Sequence, residues 1–417
     1  MISIFRSSVK PYVTVLDIGT FKVCGLMAHI LADGTPEIVG SGFAESKGIR
    51  TGAIIDLDKA TECIGSVLAQ IEKQSGHTVE SVTVNISSAH LKSHHLSKEI
   101  AISEDRPVSA ADVTHLVNDI VASVPADEEV IHKIPLSYTV GKEQGLPDPR
   151  GLYGDVLKAY VHVVTIPETH LKNLVTVLDR CHVGIDKKVA TPYATALAVL
   201  NEKEKEDGIG VTVLDFGAGS ASFAVFMNGG LVHMGLVPQG GAIITRDIAQ
   251  VMSCSLATAE RLKTLNGAAF LSPRDELERL IVPLIGEESE TNAHVPRAEL
   301  IKVIVPRLEN ILEQVGALLT EREVFMVAAR RIVLCGGTAE LQGIKEKTES
   351  VLNANVRLGR GSIIKNLPNQ FDSYTFITCI GLLKYVLMSF RPAAAPRFKK
   401  SEKQKGRFGR VLQWLMK

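Results

Sequence analysis

Apolar and β-branched residues near the start of the chain fall into three runs. The first, "YVTVLDIGT", ends in Asp17-Ile18-Gly19, and "FKVCGLMAHI" and "PEIVGSGFAES" follow it. Runs of this length and composition, separated by turn residues, predict three strands. The segment from Asp58 to Gln74 then changes period, because its apolar residues recur every three or four positions. That spacing predicts a helix with one buried face.

The same order of elements returns in the second half of the chain. "GVTVLDFGAGS" predicts a strand that ends in Asp215-Phe216-Gly217, "ASFAVFMNGG" and "LVHMGLVPQGG" predict two more, and Ile243 to Met252 has helical spacing. A single Asp-x-Gly is a common turn, but two copies in matching context, 198 residues apart at Asp17 and Asp215, indicate an internal duplication.

Two segments interrupt this repeat. Ser88 to Val163 has strand and helix signals of its own and several prolines, so we expect a small inserted α+β domain. Ser253 to Pro296 is charged, and we expect it to be mostly helical. A helix is predicted from Ala298 to Thr320, and "RRIVLCGGTAELQG" predicts a strand, a double-glycine turn and a helix start.

These patterns predict an α/β fold in two duplicated lobes. The first lobe comprises residues 11–87, 164–200 and 367–390, with the inserted domain at residues 88–163. The second lobe comprises residues 208–240 and 299–366, with a mostly helical subdomain at residues 241–298. Residues 391–405 have the composition of a flexible basic linker, and residues 406–417 follow it as a separate segment.

The last segment, "GRFGRVLQWLMK", has the pattern of an amphipathic helix. Its apolar residues recur at i, i+3, i+4 and i+7, beginning at Phe408, and the opposite side is polar and basic. Such a helix suits the headgroup boundary of an anionic bilayer, although it could instead dock on the protein's own core or on a partner helix. The predicted membrane-binding residues are Arg407, Phe408, Arg410, Val411, Leu412, Trp414, Leu415 and Met416.

Charge and cysteine content narrow the class of protein. The formal net charge is zero, which argues against a chain built to coat nucleic acid. The segment from Arg391 to Lys417 holds nine of the 46 basic residues and one of the 46 acidic ones, so a mildly acidic body precedes a basic tail. The six cysteines form no CxxC pair, and "MISIFRSSVK" lacks the apolar run of a signal peptide, so we expect a reducing cytosolic environment.

The repeated turns are the strongest candidates for chemistry. Backbone N–H groups in glycine-containing turns form concavities that bind phosphate oxygens. Two such turns facing each other could hold a triphosphate, with Lys22 contributing a positive charge and the pair Asp17 and Asp215 holding Mg²⁺, through its waters. Gly336-Gly337-Thr338 could pass against a nucleobase or ribose. Glu260 and Lys263 could bind a ribose or form an ordinary surface ion pair.

The motifs also resemble a known superfamily. The order "LDIGT", "ATPYATALAVL", "LDFGAGS", "LCGGTAEL" and "FITCIGLLKYV" resembles the actin, sugar kinase and heat-shock ATPase superfamily, whose fold is ribonuclease H-like and two-lobed. "GIRTGAIIDLDKA", "VNISSAHL", "VPQGGAIITRDIA" and the basic amphipathic end are similar to the FtsA family of bacterial cell-division proteins. By motif match, the resemblance implies that ATP is bound by Asp17, Gly19, Thr20, Phe21, Lys22, Asp215, Gly217, Gly219, Ser220, Gly241, Glu260, Lys263, Gly336, Gly337 and Thr338.

The resemblance further implies a filament-forming adaptor at the cytoplasmic face of the inner membrane, at the division septum. Its partners would be the C-terminal tail of FtsZ, other copies of itself, later division proteins and anionic lipids, and we place the FtsZ contact in Ser253–Pro296. Two positions depart from the superfamily pattern: Ser222 replaces a late acid of the second phosphate loop, and Thr191 precedes Pro192 where an acid or amide often stands. We therefore expect slow or absent ATP hydrolysis. The alternatives are an adaptor or filament of the PilM or MreB type and, less favoured, a small-molecule kinase.

Overall fold

The computed structural model describes residues 11–390 apart from residues 207–208, 284–291, 321–327, 329, 362–363 and 372. The predicted linker and the eight predicted membrane-binding residues of the tail lie outside the described residues.

The described part of the chain contains both strands and helices. The strands are β1 Tyr12–Ile18, β2 Lys22–Ile30, β3 Pro36–Glu45, β4 Ile49–Arg50, β5 Ala53–Ile54, β6 Ser81–Ile86, β7 Lys92–Ala101, β8 Glu128–Val140, β9 Glu143–Leu146, β10 Val156–Pro167, β11 Gly184–Ala190, β12 Val211–Phe216, β13 Ala221–Met227, β14 Gly230–Val237, β15 Arg279–Pro283, β16 Asn292–Pro296, β17 Arg331–Cys335 and β18 Asn355–Leu358. The helices are α1 Leu57–Ser75, α2 Ala110–Val121, α3 Lys172–Arg180, α4 Thr191–Val199, α5 Glu202–Glu206, α6 Gly241–Val251, α7 Leu256–Asn266, α8 Arg297–Thr320, α9 Ile344–Leu352 and α10 Ile377–Met388.

The two large sheets have the same topology, which confirms the predicted duplication. The first has the order β3-β2-β1-β6-β11 and the second the order β14-β13-β12-β17-β18. In each, the first three strands are an antiparallel meander and the last two are parallel to the central strand. Asp17 and Asp215 therefore stand at equivalent ends of the two central strands, β1 and β12.

Each sheet is covered on its outer face by a helix whose sequence pattern specifies the buried side. In α1 the residues at helical spacing, including Ile64, Val67 and Ile71, are buried against the first sheet. Asp56 caps its N-terminus by accepting a bond from the Lys59 N–H, and Gly76 ends it with φ 71°. In the second lobe, α8 packs Leu308, Ile311 and Leu312 against the equivalent sheet.

Helices α4 and α10 lie between the two sheets and cross each other there. Residues of α10 such as Cys379 and Leu382 pack with the first sheet, and residues of α4 such as Ala196 and Ala198 pack with the second. At the crossing, a Cβ on Gly381 would lie 1.8 Å from the Ala194 carbonyl oxygen, so the two backbones are in direct contact. Within the described residues, no helix has both the length and the apolar content to cross a membrane.

The inserted segment has its own four-stranded sheet, of order β7-β10-β8-β9, with α2 packed on it. Three of its histidines bond to the lobes. His132 Nε2 accepts the Ala190 N–H at 3.0 Å, His162 Nδ1 donates to the Leu231 carbonyl at 2.9 Å, and His95 Nε2 donates to the Val232 carbonyl at 2.5 Å. Because Ala190 belongs to the first lobe and Leu231 and Val232 to the second, the insert contacts both.

One local prediction was wrong. The segment Ser253–Pro296 was expected to be mostly helical. The structure has α7 and a 3-10 turn at Pro273–Glu276, followed by the antiparallel hairpin of β15 and β16. The reason is a short run of period two, in which buried Leu280 and Val282 alternate with exposed Arg279 and Ile281.

Candidate functional site

A cavity of about 360 Å³ lies between the two lobes. Its walls include every residue that the motifs had assigned to a nucleotide, namely Asp17, Gly19, Thr20, Phe21, Lys22, Asp215, Gly217, Gly219, Ser220, Gly241, Glu260, Lys263, Gly336, Gly337 and Thr338. These residues come from distant parts of the chain, and the fold brings them to one place.

The two Asp-x-Gly turns have matching geometry. In the β1–β2 turn, the Gly19 N–H donates to the Lys22 carbonyl at 3.0 Å. In the β12–β13 turn, the Gly217 N–H donates to the Ser220 carbonyl at 2.9 Å. The turns approach each other closely, since a Cβ on Gly219 would lie 2.2 Å from Thr20 Oγ1. Glycine is therefore required where the two lobes meet.

Asp17 and Asp215 form a pair of buried carboxyl groups at the base of the cavity. Burial raises the pKa of Asp17, with the ammonium of Lys22 opposing the rise. Burial raises the pKa of Asp215 to about 6, and the nearby charge of Asp17 adds to the effect while a hydrogen bond from Thr195 opposes it. Two acids held this way resist ionising together, and a cation between them would relieve that cost.

The chemistry around this pair suits a hard cation. Carboxylate, hydroxyl and amide oxygens surround the site, and Mg²⁺ prefers oxygen ligands while keeping several waters. Among the described residues, no group of three or more His, Cys, Asp and Glu side chains could hold a metal by itself. The pair would thus hold Mg²⁺ together with waters and ligand oxygens.

Lys22 does not point freely into the cavity. Its Nζ lies 3.8 Å from Asp17 Oδ2 and donates to the Thr375 carbonyl. The same ammonium lies 4.0 Å from the centre of the Phe376 ring, in a cation–π contact. Its charge therefore sits beside Asp17 at the cavity wall.

The second-lobe wall is built around Gly336 and the start of α6. Gly336 has φ 87°, and a Cβ there would lie 2.4 Å from Asp215 Oδ1, so no other residue fits. Lys263 Nζ donates to Glu260 Oε2 at 2.7 Å and to the Gly241 carbonyl at 3.1 Å. The pair that sequence spacing left open between a ribose contact and a surface ion pair is thus an ion pair that lines the cavity.

Sequence motifs missed several polar residues of the cavity. Asn85 Oδ1 accepts the Ile18 N–H at 2.7 Å, and Asn85 Nδ2 donates to Thr191 Oγ1 at 3.2 Å, so this amide connects the first turn to the start of α4. Gly52 and Thr378 also line the cavity. Asn85 and Gly52 lie in "VNISSAHL" and "GIRTGAIIDLDKA", two motifs that carried the family resemblance but had no assigned chemical role.

The sequence matches models and members of a known protein family. The family model described as "Cell division protein FtsA" matches residues 212–381, and the model "SHS2 domain inserted in FTSA" matches residues 88–165. The chain is 34% identical over 418 residues to the cell division protein FtsA of Agrobacterium fabrum, covering 97% of this chain and 94% of that protein.

Two solved structures share the fold at low sequence identity. The PilM-PilN type IV pilus biogenesis complex aligns with a TM-score of 0.62 and 14% identity, covering 91% of this chain and 99% of that one. MreB5 of Spiroplasma citri bound to ADP aligns with a TM-score of 0.55 and 13% identity, covering 91% and 97%. The fold is therefore actin-like, with an inserted SHS2 domain, and the sequence relatives assign the chain to the FtsA family of bacterial cell-division proteins.

Proposed function

We propose that this protein is an ATP-binding adaptor of cell division that assembles into filaments and attaches the FtsZ ring to the cytoplasmic face of the inner membrane, where it helps recruit later division proteins. The observation that carries the proposal is the cavity between the duplicated turns. In one site, it combines two glycine-containing turns of a kind that can bind phosphate, a pair of buried carboxyl groups and a cleft between two lobes.

ATP would lie with its phosphates between the two Asp-x-Gly turns. Asp17 and Asp215 would hold Mg²⁺ through its waters, and the ion would neutralise phosphate charge. Gly336, Gly337 and Thr338 would receive the adenosine, with Glu260 and Lys263 beside the ribose. The fold neighbour MreB5, whose structure contains ADP, supports a nucleotide as the ligand class.

Hydrolysis of ATP is expected to be slow or absent. Thr191 and Ser222 line the cavity at the two positions where the superfamily pattern carries an acid or amide, and hydroxyl groups are poor bases toward water. We expect the purified protein to turn over ATP far more slowly than the roughly 1–100 per second typical of kinases, measured as phosphate release. Turnover within that range would contradict this part of the proposal.

The tail would attach the protein to the membrane. The sequence from Phe408 to Met416 predicts an apolar helical face that includes the single tryptophan, Trp414, with Arg407, Arg410 and Lys417 as its nearest basic residues. A helix of about ten residues is a weak anchor in isolation. Self-assembly would strengthen it, because many weak anchors on one filament act together.

Removal of residues 406–417 is expected to abolish binding to anionic liposomes, because this segment supplies both the apolar helical face and the adjacent basic residues that are proposed to bind lipid. The measurement is co-sedimentation of the full chain and the truncated chain, each with and without ATP and an FtsZ C-terminal peptide. Liposomes of neutral lipid serve as the control, since each Lys or Arg near an anionic surface contributes about 1 kcal/mol. Equal sedimentation of both chains would contradict the assignment of the tail.

A further inference from the structure

Two threonine hydroxyls connect the carboxylate of Asp215 to the crossing of helices α4 and α10. Thr195 Oγ1, on α4, donates to Asp215 Oδ2 at 2.9 Å. Thr378 Oγ1, on α10, lies 3.0 Å from Thr195 Oγ1. An ionised carboxylate only accepts, so the single hydroxyl hydrogen of Thr195 points to Asp215 and Thr378 donates to Thr195. The hydroxyls of Thr195 and Thr378 thus connect α4 and α10 to Asp215, and hydrogen bonding by both lowers the pKa of this carboxyl group against the effect of burial.

Thr195 differs from three other helical threonines of this protein in the group to which its hydroxyl donates. Thr61, Thr264 and Thr348 donate to the backbone carbonyl four residues earlier in their own helices, at 2.7 to 2.8 Å. That local bond is the usual choice for threonine in a helix. Thr195 is 1% exposed and instead bonds to a carboxylate on the neighbouring strand β12.

The hydroxyl groups of Thr195 and Thr378 lie at the crossing of helices α4 and α10, between the two lobes. Thr378 and Gly381 share one face of α10, because they are three residues apart. Gly381 contacts the backbone of Ala194, the residue before Thr195. A change in the crossing of the two helices would therefore change the distance between Thr378 and Thr195. Asp17 is held differently, by Lys22 and Cys24 of its own hairpin, at 3.8 and 3.7 Å from Asp17 Oδ2.

We propose that Thr195 is a positioning residue for Asp215 and that Thr378 holds Thr195 in place through a hydrogen bond. Together the two threonines orient the Asp215 carboxylate toward a divalent cation bound with the nucleotide. The inference rests on the proposed function of the cavity. Because the two threonines lie on different helices, the affinity of the site for the cation would depend on how α4 and α10 cross, and hence on the relative position of the two lobes. Partners that orient a metal-binding carboxylate typically change metal affinity about 10- to 100-fold when they are removed.

The test compares the full chain with its variants Thr195→Val, Thr195→Ser, Thr378→Val and Thr348→Val. Valine preserves the shape of threonine without the hydroxyl, and serine keeps the hydroxyl. Thr348 is the matched control, because it is fully buried in a helix and its hydroxyl donates to the Ile344 carbonyl of that same helix. Binding of a fluorescent ATP analogue is measured in EDTA and then during titration with Mg²⁺.

We expect Thr195→Val to raise the Mg²⁺ concentration at half-saturation by about 10-fold or more, with binding in EDTA unchanged. Thr195→Ser restores the wild-type value, Thr378→Val gives a smaller increase, and Thr348→Val behaves as wild type. The inference is overturned if Thr195→Val leaves the Mg²⁺ requirement unchanged, if it weakens binding equally in EDTA, or if serine does not rescue it. Absence of binding by the wild-type chain in both conditions would instead overturn the proposed function.

Discussion

Replacement of Gly381 by alanine is expected to destabilise the protein by about 3 kcal/mol or more. The added methyl group would lie 1.8 Å from the Ala194 carbonyl oxygen and 2.4 Å from its carbon. Neither atom belongs to a flexible side chain, so helices α4 and α10 would have to separate. Leu382 and Leu383, which pack on the first sheet, would be displaced along with α10. The loss is measured as a lower urea midpoint of unfolding.

A second glycine provides the control for this change. Gly65 lies within helix α1, and a Cβ added there meets no atom within 4 Å. Gly65→Ala is therefore expected to stabilise the protein, by up to about 1 kcal/mol, through helix propensity alone. If both variants unfolded at the wild-type midpoint, or if Gly381→Ala were the more stable of the two, the close helix crossing would be wrong.

Replacement of Asp215 by asparagine is expected to have opposite effects on stability and on ligand binding. The pKa of Asp215 is raised from 3.8 to about 6, mainly by burial. Each pKa unit corresponds to about 1.4 kcal/mol, so the ionised carboxylate costs the metal-free fold about 3 kcal/mol at neutral pH. Asparagine carries no charge and removes this cost. It also removes one of the two carboxylates proposed to hold Mg²⁺, so Mg²⁺-dependent nucleotide binding should be lost.

The pH dependence of this effect has a definite sign. Above pH 6, Asp215 is ionised in both the folded and the unfolded chain, and the full penalty is present. As the pH falls below 6, folded Asp215 takes up a proton before the unfolded chain does, so wild-type stability rises relative to the variant. The stability advantage of Asp215→Asn should be about 3 kcal/mol at pH 7.5 and about half of that at pH 5.

The matched control is Asp105→Asn, which removes the same charge from an exposed loop and should change stability by less than about 0.5 kcal/mol. Urea unfolding in EDTA at both pH values measures the difference. An Asp215→Asn variant less stable than wild type, or one whose advantage does not vary with pH, would contradict the burial of this carboxylate as an ionisable group.

The spacing of apolar residues predicted a helix correctly where only one face of that helix is buried. The period of Ile64, Val67 and Ile71 was enough to identify α1, because a single apolar stripe faces one sheet. The segment Arg279–Pro283 was assigned incorrectly because its run of period two is only five residues long. Whether such a segment pairs as a strand depends on its partner β16, which begins at Asn292.

The duplication and the two Asp-x-Gly turns could be identified from the sequence alone. Each turn is a local structure, in which aspartate ends a strand and glycine permits the close backbone approach, so its signal is contained in a few adjacent residues. All fifteen residues assigned by motif line one cavity, because the fold brings these turns together.

The contacts that support those turns could be identified only in the three-dimensional structure. Thr195 is 20 residues from Asp215 and 183 from Thr378, and Asn85 is 106 residues from Thr191. A buried threonine or asparagine has no periodic signature, and its role depends on which group the fold places opposite its hydrogen-bonding atoms. Gly381 likewise resembled any helix glycine until the crossing with α4 placed the Ala194 backbone against it. Those long-range contacts hold the site in place, and only the three-dimensional arrangement of the two lobes creates them.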